Sequence, residues 1–182
     1  QDGKRVDFKT KELLKSYPND AHTSLNRLQQ RYNLSIITQN IDDLHERSGS
    51  SDVLHLHGKL RESRSIIDNQ VYNIKGSDLN IGDLCEKGGQ LRPNVVWFGE
   101  DVPNMSRAIE LVIQAHIFII IGTSLNVYPA ASLINYASDA ERLILIDPKT
   151  SLYNGIEVIC EKATIAVPKL VDELLDIDKN DR

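Results

Sequence analysis

The sequence predicts an α/β protein with a Rossmann-like, doubly wound parallel sheet and a small inserted module. Three observations predict it. Apolar, largely β-branched segments at 34–38, 116–121 and 143–146 are too short for convincing helices and end in polar turns. Stretches of helical period separate them, as a parallel sheet with helical crossovers requires. Polar runs follow such segments directly: Thr38-Gln39-Asn40-Ile41-Asp42, Leu54-His55-Leu56-His57-Gly58 and Gly122-Thr123-Ser124. They fall at the carboxyl ends of the strands, where parallel α/β sheets place ligands.

Residues 11–16 read as helical, and Pro18 cannot extend that stretch without losing a backbone hydrogen bond. Asn19 or Asp20 then caps a helix running to about residue 31, with Ala21, Leu25 and Leu28 on its apolar side. The run at 34–38 is the first buried strand. A short helix over 42–48 is ended by Gly49, and 53–57 alternates like a strand. From 60 to 92 the pattern weakens into polar residues, scattered Ile and Val, and Gly76, Gly82, Gly88 and Gly89. This predicts a small irregular module inserted into a main domain made of 1–59 and 93–182. A strand returns at 93–98, 105–114 is an amphipathic helix, and 116–121 is another buried strand. Residues 129–137 read as a helix with Pro129 in its first turn, where a missing N–H costs nothing. Strands at 143–146 and 157–159 and a closing helix at 168–175 complete the pattern.

Composition narrows the function. With 182 residues, 41% hydrophobic and 26% charged, the chain can bury one good core. The longest apolar run, 117–121, is far short of the roughly 20 residues that span a bilayer, and no cleavable signal pattern opens the chain. A cytoplasmic protein is expected. A net charge of -5 without a Lys/Arg block argues against direct nucleic-acid binding. Two cysteines, Cys85 and Cys160, support neither a disulfide framework nor a cysteine-built metal site.

Each polar run has two readings. Gln39, Asn40 and Asp42 can orient a ribose, an amide-bearing ring or a water, or they cap a strand-to-helix turn. His57 can act as a general base, since imidazole titrates near neutrality, with Gly58 admitting a ligand; otherwise it is a structural histidine. His55 on the same face suggests metal ligation, but two histidines without a third ligand make a poor site. Gly122, Thr123 and Ser124 suit phosphate or ribose hydroxyls, or form an ordinary turn. Asp147 can bind ribose hydroxyls, and Asp147-Pro148 is equally a turn. Val95, Val96, Trp97 and Phe98 are bulky enough for an apolar tunnel or simply fill the core. No Gly-x-Gly pair occurs, so a recognisable pyrophosphate loop is missing.

Taken together, Pro18-Asn19-Asp20-Ala21-His22, the Thr38 to Asp42 run, Leu44-His45-Glu46-Arg47, Leu56-His57-Gly58, the 91–100 and 122–129 runs and Ile146-Asp147-Pro148 resemble the sirtuins, NAD-dependent protein-lysine deacylases. The bacterial type is most similar. The resemblance implies an NAD-consuming deacetylase or deacylase that releases nicotinamide and O-acyl-ADP-ribose and uses no catalytic metal. It makes His57 the base that activates a hydroxyl of the nicotinamide ribose. Asn40, Ile41 and Asp42 would lie at the nicotinamide end, with Gln39 on ribose, and Asn40 and Asp42 would share in catalysis. Gly122, Thr123 and Ser124 would hold phosphate and ribose, Asp147 the adenosine end, with Ala163 near adenine. Val95, Val96 and Phe98 would wall an acyl-lysine tunnel. The Gly99-Glu100 and Asn126-Val127-Tyr128 segments would pair with an acylated-lysine peptide by strand addition.

Two departures from the family pattern shape further expectations. The family's opening glycine loop and its βα unit have no counterpart here, so the 182 residues are expected to be part of a longer chain. The inserted module has Cys85 where most sirtuins carry four cysteines, so no zinc is expected. The alternatives are a sirtuin-like NAD hydrolase or ADP-ribosyltransferase, or a silent NAD or ADP-ribose binding module.

Overall fold

The computed structural model describes residues 15–74, 79–123, 129–150 and 154–180, the last four without their side chains. Helix α1 (Asp20–Leu28) starts where Asn19 turns extended and its Oδ1 accepts from the Ala21 N–H at 3.0 Å, the cap the sequence predicts. It ends at Leu28, earlier than residue 31. Strand β1 (Ile36–Thr38) pairs in parallel with β2 (Val53–His55), and the short helix α2 (Leu44–Arg47) lies between them. Gly49, at φ +98°, closes that helix as expected.

The second parallel ladder joins β6 (Ile117–Ile121), β7 (Arg142–Ile146) and β8 (Glu157–Ile159) in that order. Apart from Arg142 and Glu157 at their starts, these strands are apolar, as strands of a parallel sheet covered by helices are. Ile117, Ile119 and Ile121 pack on one side with Ile144 and Ile146, against α1 and the closing helix α4 (Ala163–Asn180). Phe118 and Leu143 pack on the other side with α3 (Met105–Ile113) and the 3₁₀ helix Ala130–Tyr136. Helices therefore cover both faces, the doubly wound arrangement. Each wholly buried Ile or Leu of β7 contributes about 1.5–3 kcal/mol.

Between the two ladders in chain order comes a three-stranded antiparallel sheet, β4 (Val71–Asn73), β3 (Gly58–Ser65), β5 (Leu91–Val95). The strand expected at 93–98 thus lies at Leu91–Val95 and pairs antiparallel with β3, because apolar content marks a strand without naming its partner. Strand β2 stops at His55, two residues before the expected end. The helix expected at 129–137 is a 3₁₀ helix. Helix α4 starts five residues ahead of Pro168, whose missing N–H costs one hydrogen bond. Ala166, Val167, Leu170, Val171 and Leu174, all nearly inaccessible, outweigh that loss by packing on α1 and β7. The helix expected at 11–16 falls largely outside the described residues.

Candidate active site

The turn after β1 is fixed through its carbonyls. His57 Nδ1 donates to Gln39 O at 3.0 Å, His55 Nδ1 donates to Asn40 O at 3.0 Å, and the Leu60 N–H donates to Ile41 O at 2.8 Å. Three consecutive carbonyls are thereby satisfied from one short stretch, 55–60. On the other side, the Asn40 N–H donates to Thr38 Oγ1 at 3.1 Å, and Asp42 Oδ1 accepts from the Leu44 N–H at 3.1 Å. Asp42 therefore serves the short helix with one oxygen, as the turn reading expects. Asn40 is exposed, while Gln39, Ile41, Asp42 and His57 are half-buried.

The Gln39 bond decides the His57 tautomer. A carbonyl only accepts, so Nδ1 carries the proton, and in the neutral ring Nε2 keeps a lone pair. That is the state a general base requires. Gly58 does not make room for a ligand, as the sequence suggested. A Cβ there would stand 1.9 Å from Asn94 O, so the glycine admits the backbone of β5, at φ +83°. His55 is no metal ligand either: it is buried, and Glu46 Oε1 accepts from its Nε2 at 2.9 Å.

Sequence reasoning assigned no role to Glu46 or Lys59. Lys59 Nζ lies 2.9 Å from the same Glu46 oxygen. Burial raises the Glu46 pKa, but the bonds from Lys59 and His55 outweigh it and hold the carboxyl below its usual range. Helix α2 carries Glu46 and begins directly after the turn, which was the available signal. His22 and His45, also without an assigned role, face each other with ring centroids 4.8 Å apart.

The turn after β5 reaches the same place. The Val96 N–H donates to His57 O at 3.0 Å, which puts the expected tunnel residue beside the histidine. Val95 is buried in its strand, Val96 is half-buried, and Phe98 and Gly99 are exposed. Glu100 accepts from Arg92 at 2.7 and 3.0 Å, from Arg64 at 3.1 Å and from the Trp97 N–H at 3.1 Å. These bonds, those from Arg92 first, hold its pKa down at about 2. Its side chain is an anchor for the turn.

Gly122 ends β6 at φ +63°, and its N–H donates to Ile146 O at 2.9 Å. Thr123 follows it. Ser124, Asn126, Val127 and Tyr128 lie outside the described residues. Asp147 ends β7, with Oδ1 accepting from the Lys149 and Thr150 N–H groups at 2.8 and 3.1 Å, so the turn reading holds for that oxygen. Ala163 opens α4 just beyond β8. Gly122, Asp147 and Ala163 thus line the carboxyl edge of the second ladder.

In the inserted sheet, Cys85 Sγ accepts from the Gly89 N–H at 3.3 Å and lies 3.4 Å from Ser65 Oγ. Among the described residues no group of three His, Cys, Asp or Glu side chains is placed to hold a metal ion. A hydroxyl and an amide are not zinc donors, so these residues do not fit a zinc site.

A model of the Sir2 family matches residues 5–129. The chain is 48% identical over 181 residues to an NAD-dependent protein deacylase of Helicobacter pylori J99, covering 96% of this chain and 77% of that protein. It is 42% identical over 174 residues to one of Bacteroides thetaiotaomicron, covering 91% and 74%. A solved Sir2 homologue in complex with NAD superposes with a TM-score of 0.80 at 34% identity, covering 91% of this chain and 68% of that one. A Sir2 bound to acetylated peptide gives 0.73 at 28%, covering 92% and 74%.

Proposed function

Because the chain belongs to the Sir2 family and is an NAD-dependent protein deacylase, we propose how its residues divide that work. His57 is the general base. The observation that carries this is the Nδ1 bond to Gln39 O, which leaves Nε2 of the neutral ring able to take a proton from a ribose hydroxyl. Asn40, Ile41 and Asp42 hold the nicotinamide end, and Gln39 holds ribose. Gly122, Thr123 and Ser124 hold phosphate and ribose, with Asp147 and Ala163 at the adenosine end. NAD, when bound, would supply the ribose whose anomeric carbon gives up nicotinamide and whose hydroxyl ends carrying the acyl group.

The acyl-lysine side is assigned to Val95, Val96 and Phe98, with Gly99, Glu100, Asn126, Val127 and Tyr128 along the peptide. The Val96–His57 backbone bond supports this, since it brings the tunnel wall to the base. The antiparallel ladder supports reading 60–92 as a module inserted between the two parts of the NAD-binding domain. No helix among the described residues is long and apolar enough to cross a membrane; a cytoplasmic protein acting on acylated-lysine proteins, without nucleic acid, is the reading offered.

The test is acyl-peptide-dependent nicotinamide release from NAD. His57→Ala is expected to lower it by about 10²–10⁴-fold while ADP-ribose still binds. Wild-type turnover by that variant would sink the assignment. Nicotinamide release that needs no acyl-peptide would favour the NAD-hydrolase alternative.

A further inference from the structure

His55 is only 3% exposed, yet the reading above gives it no part in the reaction. We propose that His55, backed by Glu46, is a positioning residue for deacylation that sets Asn40 relative to the base His57. The proposal rests on the assignment of Asn40 and His57 to the nicotinamide end.

Both ring nitrogens of His55 face acceptors. Nδ1 lies 3.0 Å from Asn40 O and Nε2 lies 2.9 Å from Glu46 Oε1. Each ring nitrogen is thus held at an acceptor oxygen. The ring cannot flip without breaking both contacts. The residue's backbone is fixed as well, since Asn104 Nδ2 donates to His55 O at 2.7 Å and the Leu56 N–H donates to Thr38 O at 2.9 Å. Lys59 holds Glu46 from β3 at 2.9 Å.

The consequence falls on Asn40. Its N–H is held by Thr38 Oγ1 and its carbonyl by His55, which fixes both peptide planes around it and so the direction in which its amide leaves the chain. His57 holds the preceding carbonyl, so one strand end sets both groups by the same kind of bond. Reaction rates are sensitive to displacements of about 1 Å, whereas binding of the distant parts of NAD and peptide is not.

The experiment uses the full chain and reads kcat, KM for acyl-peptide, ADP-ribose affinity and melting temperature for His55→Leu and His55→Asn. His55→Leu is expected to lower kcat by about 10- to 100-fold, with peptide KM and ADP-ribose affinity within about twofold. His55→Asn keeps a donor for the Asn40 carbonyl and is expected to recover kcat to within about threefold of wild type. Wild-type kcat in His55→Leu overturns the proposal, as does a loss shared with ADP-ribose affinity that His55→Asn does not rescue. Should His55→Leu fail to fold, Glu46→Ala decides. It is expected to lower kcat about 3- to 10-fold at unchanged KM, and wild-type kcat there overturns the proposal. A wild type that releases no nicotinamide, or a His57→Ala variant that is fully active, would overturn the site assignment and this proposal with it. An active wild type with an indifferent His55 overturns the proposal alone.

Discussion

Two turns meet over His57, and they are built in opposite ways. The turn after β1 spends three consecutive carbonyls on partners from 55–60, and two of those partners are histidine rings. The turn after β5 carries exposed Trp97, Phe98 and Gly99 and is anchored through one carboxylate, Glu100, on Arg92 and Arg64. A turn bonded residue by residue presents its side chains in fixed directions, which suits a nucleotide of fixed shape. A turn held chiefly through its last side chain leaves Phe98 and Gly99 exposed at its tip, which suits a peptide added as a strand.

The most damaging way to break this comparison is to separate the two turns where they join. Gly58 follows His57, and the Asn94 carbonyl of β5 occupies the place of its missing side chain. Gly58→Ala combines that 1.9 Å clash with a positive φ, so a loss of about 4 kcal/mol or more is expected in denaturant unfolding. A variant that unfolds at the wild-type midpoint would show that β5 is free to move and that the two turns are not fixed to each other.

What was legible in the sequence follows from what each feature depends on. The strands at 36–38, 117–121 and 142–146 and the Asn19 cap depend on local pattern, and they fall where the pattern puts them. The antiparallel pairing of Leu91–Val95 depends on a partner nearly thirty residues away, about which its own residues say nothing. The start of α4 ahead of Pro168 depends on burial against α1, which overrides a local helix breaker. His57 was legible as a candidate, but the carbonyl that sets its tautomer was not. The steric role of Gly58 and the Glu46 bond to His55 were hidden for the same reason: both are contacts between elements.

A gentler break removes the charge of the Glu100 anchor. Glu100→Gln keeps the shape of the side chain but gives up its charge toward Arg92 and Arg64. An exposed turn recovers part of that loss from solvent, so peptide KM is expected to rise only about 5- to 10-fold, with ADP-ribose affinity unchanged. Equal weakening of both ligands would mean that the turns are not independent. The pH dependence has a definite sign. The Glu100 carboxyl is depressed from 4.5 to about 2, so its contribution to stability is complete above 4.5 and is lost as pH falls through about 2. The gap in melting temperature between wild type and Glu100→Gln should therefore narrow across that window.

The smallest effect is also the sharpest test, because acid should reach the two turns in sequence. His22 and His45, beside the nucleotide-side turn, both have pKa values below 6.5, chiefly through burial, and His22 lowers His45 further; Asp42 opposes the shift in both. The unfolded chain takes up their protons first as pH falls below 6.5, so the folded state loses stability in that range. Well above 6.5 both rings are neutral in either state and contribute nothing to the slope. A fall of a few degrees in melting temperature between pH 7 and 5.5 is expected, and His45→Phe should flatten it. Glu100, by contrast, keeps its charge throughout that range. Charging His22 and His45 changes the field at the nucleotide-side turn, so ADP-ribose affinity is expected to shift between pH 6.5 and 5, while the fluorescence of Trp97, the chain's one tryptophan and part of the peptide-side turn, should stay constant in the folded protein. If the two signals change together, the turns respond as one unit and the contrast between them fails.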